Sequence, residues 1–319
     1  MILPIPTTTA TVNATTKATA DATTAAGPAT GRTRPRALIV TADDFGLHPA
    51  VNEGVELAHR HGVLDAASLM VGAPAAADAV SRAHRLPRLR VGLHLVLADG
   101  PSVLPPAAIP DLVDAEGRFG SAMARDGLRF FLSDAVRRQL AAEIRAQFAA
   151  FAATGLALDH VNTHKHFHLH PTVLSLILAI GRDYGLRAMR LPRETGAPWW
   201  LRPWLALLRR RLDAAGIAHN DHVIGIARSG AMDEDAVLAA LRTLPPGVVE
   251  LYLHPATESG ERIAPSMRGY RHADELAALL SPRVRTALEQ VAPRRGGFAD
   301  QLPARIGDDG SCASPGWRR

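Results

Sequence analysis

The chain has 319 residues, 47% of them apolar, which is enough to bury one large core. Its 36 basic and 31 acidic residues leave a formal charge of +5, with no aromatic-interleaved basic groove, so composition argues against a nucleic-acid role. The single cysteine, Cys312, excludes an intramolecular disulfide and a cysteine-based zinc site, and no run reaches the roughly 20 apolar residues of a membrane span.

Residues 1–35, dominated by Thr and Ala, carry no periodicity that would drive packing and are expected to form a disordered tail. The first apolar run, LIVTADD at Leu38–Asp44, reads as a strand, and Pro49–His61 as a helix stopped by Gly62. A second strand is expected at Ala66–Val71 and a helix at Pro74–His84, followed by the strand RVGLHL at Arg90–Leu95. A Pro-rich loop, Pro101–Pro110, leads to a long helix from Ser133, a plausible N-cap, to Thr154, with Gly155 as its stop. The His-rich run LDHVNTHKH at Leu158–His166 continues to a helix opened by Pro171 and closed at Gly185, and Leu186–Leu191 is expected to be another strand. A helix at Asp233–Leu244 precedes VVELYLHP at Val248–Pro255. From Ala292 onward composition again predicts a tail, which leaves 36–291 as a single catalytic domain. The β-then-α rhythm predicts an α/β fold with a parallel sheet or (β/α) barrel.

Four of these apolar runs end in or beside a carboxylate or an imidazole. In parallel α/β folds the carboxyl ends of the strands converge on one face, so such residues can meet there although far apart in sequence. Asp43 and Asp44 could divide two tasks, one holding a cation and the other taking a proton, because successive strand side chains alternate in direction. On the dipeptide alone, a turn or helix cap is the first reading. His94, in an apolar strand, gains weight only from its company. Five histidines fall between His160 and His170. A site of two histidines, one carboxylate and water suits Zn²⁺ or another divalent ion, and His-rich surface loops also bind metal adventitiously. His254, held extended by Pro255, sits at the fourth strand's mouth, where an imidazole can act as a general acid.

Taken together, ADDFG with its following helix, GLHLVL at Gly92–Leu97, HVNTHKHFH at His160–His168 and the late HPA at His254–Ala256 resemble the YdjC/ChbG family of carbohydrate deacetylases. The resemblance spans roughly 36–280 and is specific as an ordered set. The runs TADDFGLHPAVNEGV, THKHFHLHP and RLPRE at Arg190–Glu194 look closest to the branch associated with hopanoid biosynthesis. It implies a single (β/α) barrel-like domain of the non-classical deacetylase type, with one divalent metal ion, Mg²⁺ or Zn²⁺, at the carboxyl ends of the strands. Asp44, His94 and His164 match the metal ligands, Asp43 the general base, and His254 the acid. Which of His166, His168 and His170 touch metal or substrate stays open. Lys165 and Asn162 stand where the chitooligosaccharide enzyme has His and Asp, so substrate contacts are expected to differ.

The implied reaction is hydrolysis of a linear amide: removal of the N-acetyl group from an N-acetylglucosamine-type sugar, carried on a hopanoid glycolipid. The alternatives are a deacetylase of a soluble chitooligosaccharide such as diacetylchitobiose, a metal-dependent phosphoesterase, or a non-enzymatic metal- or lipid-binding protein. The segment PWWLRPWLALLRRRL, at 198–212, mixes tryptophan, leucine and arginine as a helix lying in a membrane interface does, and reads equally as a helix with inward-packed tryptophans. The expected location is cytoplasmic, peripheral at the inner face of the membrane. Nothing in the sequence sets the oligomeric state.

Overall fold

Eleven residues, Pro35–Phe45, form the first strand, β1, and all but Arg36 are buried, as expected of a central strand covered on both faces. The computed structural model describes residues 35–196, 198–260, 262–291 and 294–301. In chain order β1 is followed by α1 (Pro49–His61), β2 (Ala66–Leu69), α2 (Ala76–His84) and β3 (Arg90–Leu95). Then come α3 (Met123–Leu132), α4 (Asp134–Ala153), β4 (Val161–Thr163), α5 (Pro171–Gly181) and α6 (Arg202–Ala214). The last elements are β5 (His222–Ile224), α7 (Glu234–Arg242), β6 (Gly247–Leu253), α8 (His272–Leu280) and α9 (Pro282–Val291).

The strands make one parallel six-stranded sheet in the order β4-β3-β2-β1-β6-β5, which curls into a half-barrel covered by the helices. Leu186–Leu191 is not a strand among these. It contributes isolated bridges, Met189 to Val161 and Ala188 to Ala218, while Glu194 bridges to Val223 of β5. The segment thus lies in the gap between the two sheet edges. Side-chain bonds substitute for a ladder there: Asn220 Oδ1 accepts from Leu191 N at 2.7 Å and its Nδ2 donates to Leu191 O at 2.8 Å.

Helix boundaries follow local chemistry. Ser133 caps α4, its hydroxyl accepting from Val136 N, and Gly185, at φ 73°, ends the turn that continues α5. The cap of α1 is His48, whose Nδ1 accepts from Ala50 N, so neither Asp43 nor Asp44 serves as a helix cap. α3 has no counterpart among the predicted elements.

The tail expected from Ala292 packs in part. Leu38 N donates to Arg294 O at 3.0 Å, Arg295 pairs with Asp65 at 2.8 Å, and Phe298 is buried against His160. Composition misses this because one aromatic ring, one paired arginine and a backbone bond suffice to dock eight residues. Residues 1–34 and 302–319, where the tails are otherwise expected, lie outside the described residues.

Candidate active site

The carboxyl ends of β1, β3 and β4, with the residue after β6, bring Asp43, Asp44, His94, His164 and His254 together, all at least nine-tenths buried. Strand alternation is not what separates the two aspartates. The register of β1 shifts between Ala42 and Phe45, and Asp44 is left-handed with φ 65°. A bulge of this kind re-aims a side chain at the end of a strand.

Asp44 Oδ1 lies 3.3 Å from His94 Nε2 and 3.1 Å from His164 Nδ1, and the two imidazole nitrogens are 3.4 Å apart. No other group of three or more His, Cys, Asp or Glu among the described residues gathers its ligand atoms as closely. A tetrahedral ion with ligands at about 2.0–2.1 Å has ligand–ligand edges of about 3.3 Å. Octahedral Mg²⁺ gives adjacent edges of about 2.9 Å. Two of the three edges, at 3.3 Å and 3.4 Å, are nearer the tetrahedral value, and the third, at 3.1 Å, lies midway.

The surroundings fix the tautomer of His94. Asn162 Nδ2 donates to Asp43 Oδ1 at 3.0 Å and to Ser68 Oγ at 2.9 Å, so Asn162 Oδ1 is the atom that faces His94 Nδ1 at 2.7 Å. His94 Nδ1 must therefore carry a proton, and the Nε2 lone pair of the neutral ring points at Asp44 and His164. A carboxylate and an imidazole lone pair facing each other in a buried site need a cation between them, either a proton or a metal ion. Burial opposes protonation of His94, but Asp43 and then Asp44 outweigh it and shift its pKa upward. Burial likewise disfavours the Asp44 carboxylate, yet His164 and His94 hold its pKa well below the usual range. Asp44 Oδ2 is buried without a hydrogen-bond partner, 4.0 Å from His254 Nε2. This donor set fits a divalent cation.

Asp43 is held differently. Arg190, wholly buried, clamps it with a fork: Nη1 donates to Oδ2 at 2.6 Å and Nη2 to Oδ1 at 2.9 Å. On its other side Arg190 donates to both oxygens of Glu250, at 2.8 and 2.7 Å, and it stacks 4.6 Å from the Tyr252 ring. Burial would raise the pKa of Asp43, but Arg190 and then His94 hold it far below the ordinary carboxylate range. Oδ1 already accepts two bonds and Oδ2 one, so Oδ2 keeps the free lone pair.

His254 is positioned through its backbone, whose N–H donates to Glu275 Oε2 while its carbonyl lies 2.6 Å from His272 Nδ1. Its ring packs edge-on to Tyr252 and Tyr270. The other histidines of the run separate in role. His160 is structural, between Asp159 and Ser68 at 2.8 and 3.0 Å, and a Cβ on Gly92 would come within 2.5 Å of its ring, which accounts for the glycine of GLHLVL. His168 bonds Thr163, and His170 packs on Phe131. His166 lies 3.4 Å from the Tyr252 hydroxyl, and burial, then Arg190, lowers its pKa to about 3.

Arg190, Glu250, Ser68 and Glu275 have no role in the sequence reading. Arg190 and Glu250 were visible as charges in strand-like apolar runs, RLP and VVELYL, an anomaly that asks for a buried partner. Beside His164 opens a cavity of about 580 Å³, lined by Leu47, Met70, Pro74, Pro265 and Met267, with Asp99 among its polar groups.

The model of the YdjC-like protein family matches residues 37–290. A carbohydrate deacetylase of Brevibacillus brevis is 36% identical over 223 residues, 69% of this chain and 81% of that one. A carbohydrate deacetylase of Geobacillus stearothermophilus is 31% identical, covering 82% and 94%. A chitooligosaccharide deacetylase of Serratia marcescens is 35% identical, covering 50% and 60%. Among solved structures, an Enterococcus faecalis protein put forward as a cellobiose-phosphate cleavage protein superposes with a TM-score of 0.69 at 25% identity, over 84% of this chain and 100% of that one. With four-fifths of its length matched by the family model and these relatives beside it, the chain belongs to the family of YdjC-like proteins.

Proposed function

We propose that this protein is a carbohydrate N-deacetylase that hydrolyses the acetamide of an N-acetylglucosamine-type sugar with the help of one divalent ion. The observation that carries the reading is the pairing of two differently held aspartates at one strand end: Asp44 with His94 and His164, Asp43 with Arg190. Deacetylase relatives covering most of the chain support the reaction class.

In this reading Asp44, His94 and His164 hold the ion, Zn²⁺ on the ligand spacing and Mg²⁺ as the other candidate. The bound ion would polarise the amide carbonyl and acidify a water. Asp43 Oδ2, which keeps a free lone pair, would take a proton from the attacking water as its oxygen adds to the amide carbon, and the C–N bond would then break as the nitrogen leaves. Because Arg190 lowers the basicity of Asp43, this carboxylate suits a water that has already been acidified, and it is fully ionised at neutral pH. His254 protonates the departing amine from the opposite side of Asp44, with Tyr252 and Tyr270 restricting its ring.

For the substrate we propose a lipid-borne amino sugar of the hopanoid class. The apolar lining of the cavity beside His164 supports an apolar aglycone, and the exposure of Trp199 and Trp200 supports a membrane contact through 198–212. The lining also fits the flat apolar faces of a soluble chitooligosaccharide. No helix among the described residues is long and apolar enough to cross a membrane, so the contact would be peripheral.

The test is acetate release, with and without added Zn²⁺ or Mg²⁺, from an N-acetylglucosaminyl hopanoid and from diacetylchitobiose side by side. Metal-dependent release from the lipid is expected, and release from the disaccharide alone would replace the lipid assignment. Asp43→Asn should lose turnover with metal still bound, whereas Asp44→Asn should lose the metal. Metal loss from Asp43→Asn would overturn this division of roles.

A further inference from the structure

The six large hydrophobic side chains exposed among the described residues occupy just two segments: Leu128, Phe131 and Leu132 on α3, and Trp199, Trp200 and Leu207 at the start and outer face of α6. An ordinary surface scatters such residues singly, so their concentration asks for a partner. On α3 the exposed stripe runs Ala124, Leu128, Phe131 and Leu132, the spacing of one helical face, while Gly127 and Phe130 face inward. This helix therefore has apolar residues on two faces, and only one of them meets the core.

α6 behaves alike. Leu205, Leu208 and Leu212 pack inward, and Trp204 is half-buried with its indole N–H donating to Leu169 O at 3.0 Å. Trp199 and Trp200, 78% and 64% exposed, do not follow Trp204 inward. Segment 198–212 carries four arginines and no acidic residue, and Arg202, Arg209 and Arg210 are exposed.

The two segments meet on one turn. The Phe131 ring lies 4.4 Å from His170, and a Cβ on Gly127 would lie 3.2 Å from the same imidazole. From the other side come the Trp204 bond to Leu169 O and an Arg211 bond to Pro171 O at 3.3 Å. Residues 169–171 are thus clasped by both helices, and this turn follows directly on the one that carries His164.

We propose that the outward stripe of α3 and the Trp199–Leu207 face form a two-part docking surface for an anionic lipid bilayer. The aromatic and leucine side chains enter the interface, and the arginines of α6 meet the headgroup charge. The choice of a bilayer over a second protein rests on this composition, with indole rings and leucines bordered by the exposed guanidinium groups of Arg202 and Arg210, while Arg209 lies at 3.8 Å and 3.9 Å from Asp213 and Asp221. Docking does not depend on the deacetylase reading. Its use, holding the site where a lipid-borne sugar is presented, rests on that reading.

The test is co-sedimentation of the full chain with phosphatidylcholine vesicles, with and without phosphatidylglycerol, at low and high salt. Binding to the anionic vesicles that weakens with salt is expected, with a blue shift of tryptophan emission. Leu128→Ser with Leu132→Ser, and separately Trp199→Ser with Trp200→Ser, should each weaken partitioning by about tenfold or more. Circular dichroism and metal binding should stay unchanged in both variants. Absence of binding at low salt overturns the proposal, and unchanged binding by the α3 variant overturns the two-part surface. A dimer in sedimentation that these substitutions split would assign the face to a second copy instead. Vesicle binding by a protein that releases no acetate would leave the docking surface standing and remove only the deacetylase reading.

Discussion

Arg190 is the residue on which the electrostatics of the site turn. It pairs with two buried carboxylates at once, and without it each would lie buried with no cationic partner of this kind. The fork also fixes which oxygen of Asp43 remains free. Arg190→Lys keeps the charge and loses the fork, so the carboxylate can rotate. The expected result is a kcat lower by about 100-fold with KM and the acid limb of the pH profile little moved, read from initial rates across pH. Arg190→Met with Glu250→Gln removes the charge without stranding Glu250. Burial then acts on Asp43 with the largest opposing charge gone and only His94 and His254 left to counter it, so its pKa rises. The base consequently protonates at higher pH, and the acid limb of kcat/KM shifts upward relative to the wild type. An acid limb that stays in place in the double variant would take Asp43 out of the base role. None of this pairing could be read from the chain, because Arg190 lies 147 residues from Asp43 and 60 from Glu250. The two aspartates were legible for a local reason, since they close a short apolar run, whereas His94 lies inside one and was legible only through its company.

At the scale of elements, the informative piece is the turn after β4. Its backbone is neither an extended strand nor a right-handed helix throughout: Lys165 and His166 are left-handed, with φ 56° and 54°. All four non-glycine residues with positive φ among the described residues, Asp44, Asp99, Lys165 and His166, lie at the site or line its cavity. Strain of this kind persists where surrounding contacts over-determine the backbone. Here Thr163 Oγ1 accepts from His168 N at 3.0 Å, and Lys165 Nζ reaches Asp99 Oδ2 at 3.4 Å. The reversal of hand sends His164, and not its neighbours, to Asp44. Lys165→Gly adopts this conformation freely and should leave metal affinity unchanged. Lys165→Val places a β-branched side chain at positive φ, which costs about 1–3 kcal/mol and should displace His164. Isothermal titration with Zn²⁺ compares the two, and equal affinities would show that the turn does not set the ligand. A sequence of five histidines advertises metal chemistry without saying which ring arrives, because backbone hand at one lysine decides it. Helix boundaries were easier to read, since proline and glycine punctuate α1, α4 and α5 locally.

Across the whole molecule, the site at the carboxyl ends of the strands is tied to the opposite end through the barrel interior. The Phe298 ring stacks on His160 at 4.7 Å, and Asp159 accepts from Phe298 N and Ala299 N while bonding His160 Nδ1. His160 Nε2 meets Ser68 Oγ, Ser68 accepts from Asn162, and Asn162 holds both Asp43 and His94. A composition-based reading places 294–301 in a tail because it counts apolar residues, and the segment has few. Its docking depends instead on a single ring at the right place and on carboxylates, Asp159 and Asp65, that wait for backbone and guanidinium donors. Phe298→Ala removes the ring and leaves those polar bonds formed. Urea unfolding should show a loss of about 3–5 kcal/mol, the cost of emptying a buried phenylalanine site. His160 then loses the surface that holds its ring, and the Ser68–Asn162 contacts that orient His94 loosen with it. Activity should therefore fall by more than the unfolded fraction accounts for, with the deficit in kcat, measured at temperatures where the variant is folded. A variant that is destabilised but turns over normally when folded would mean that the chain from Phe298 to Asn162 supports the barrel alone and does not orient the site.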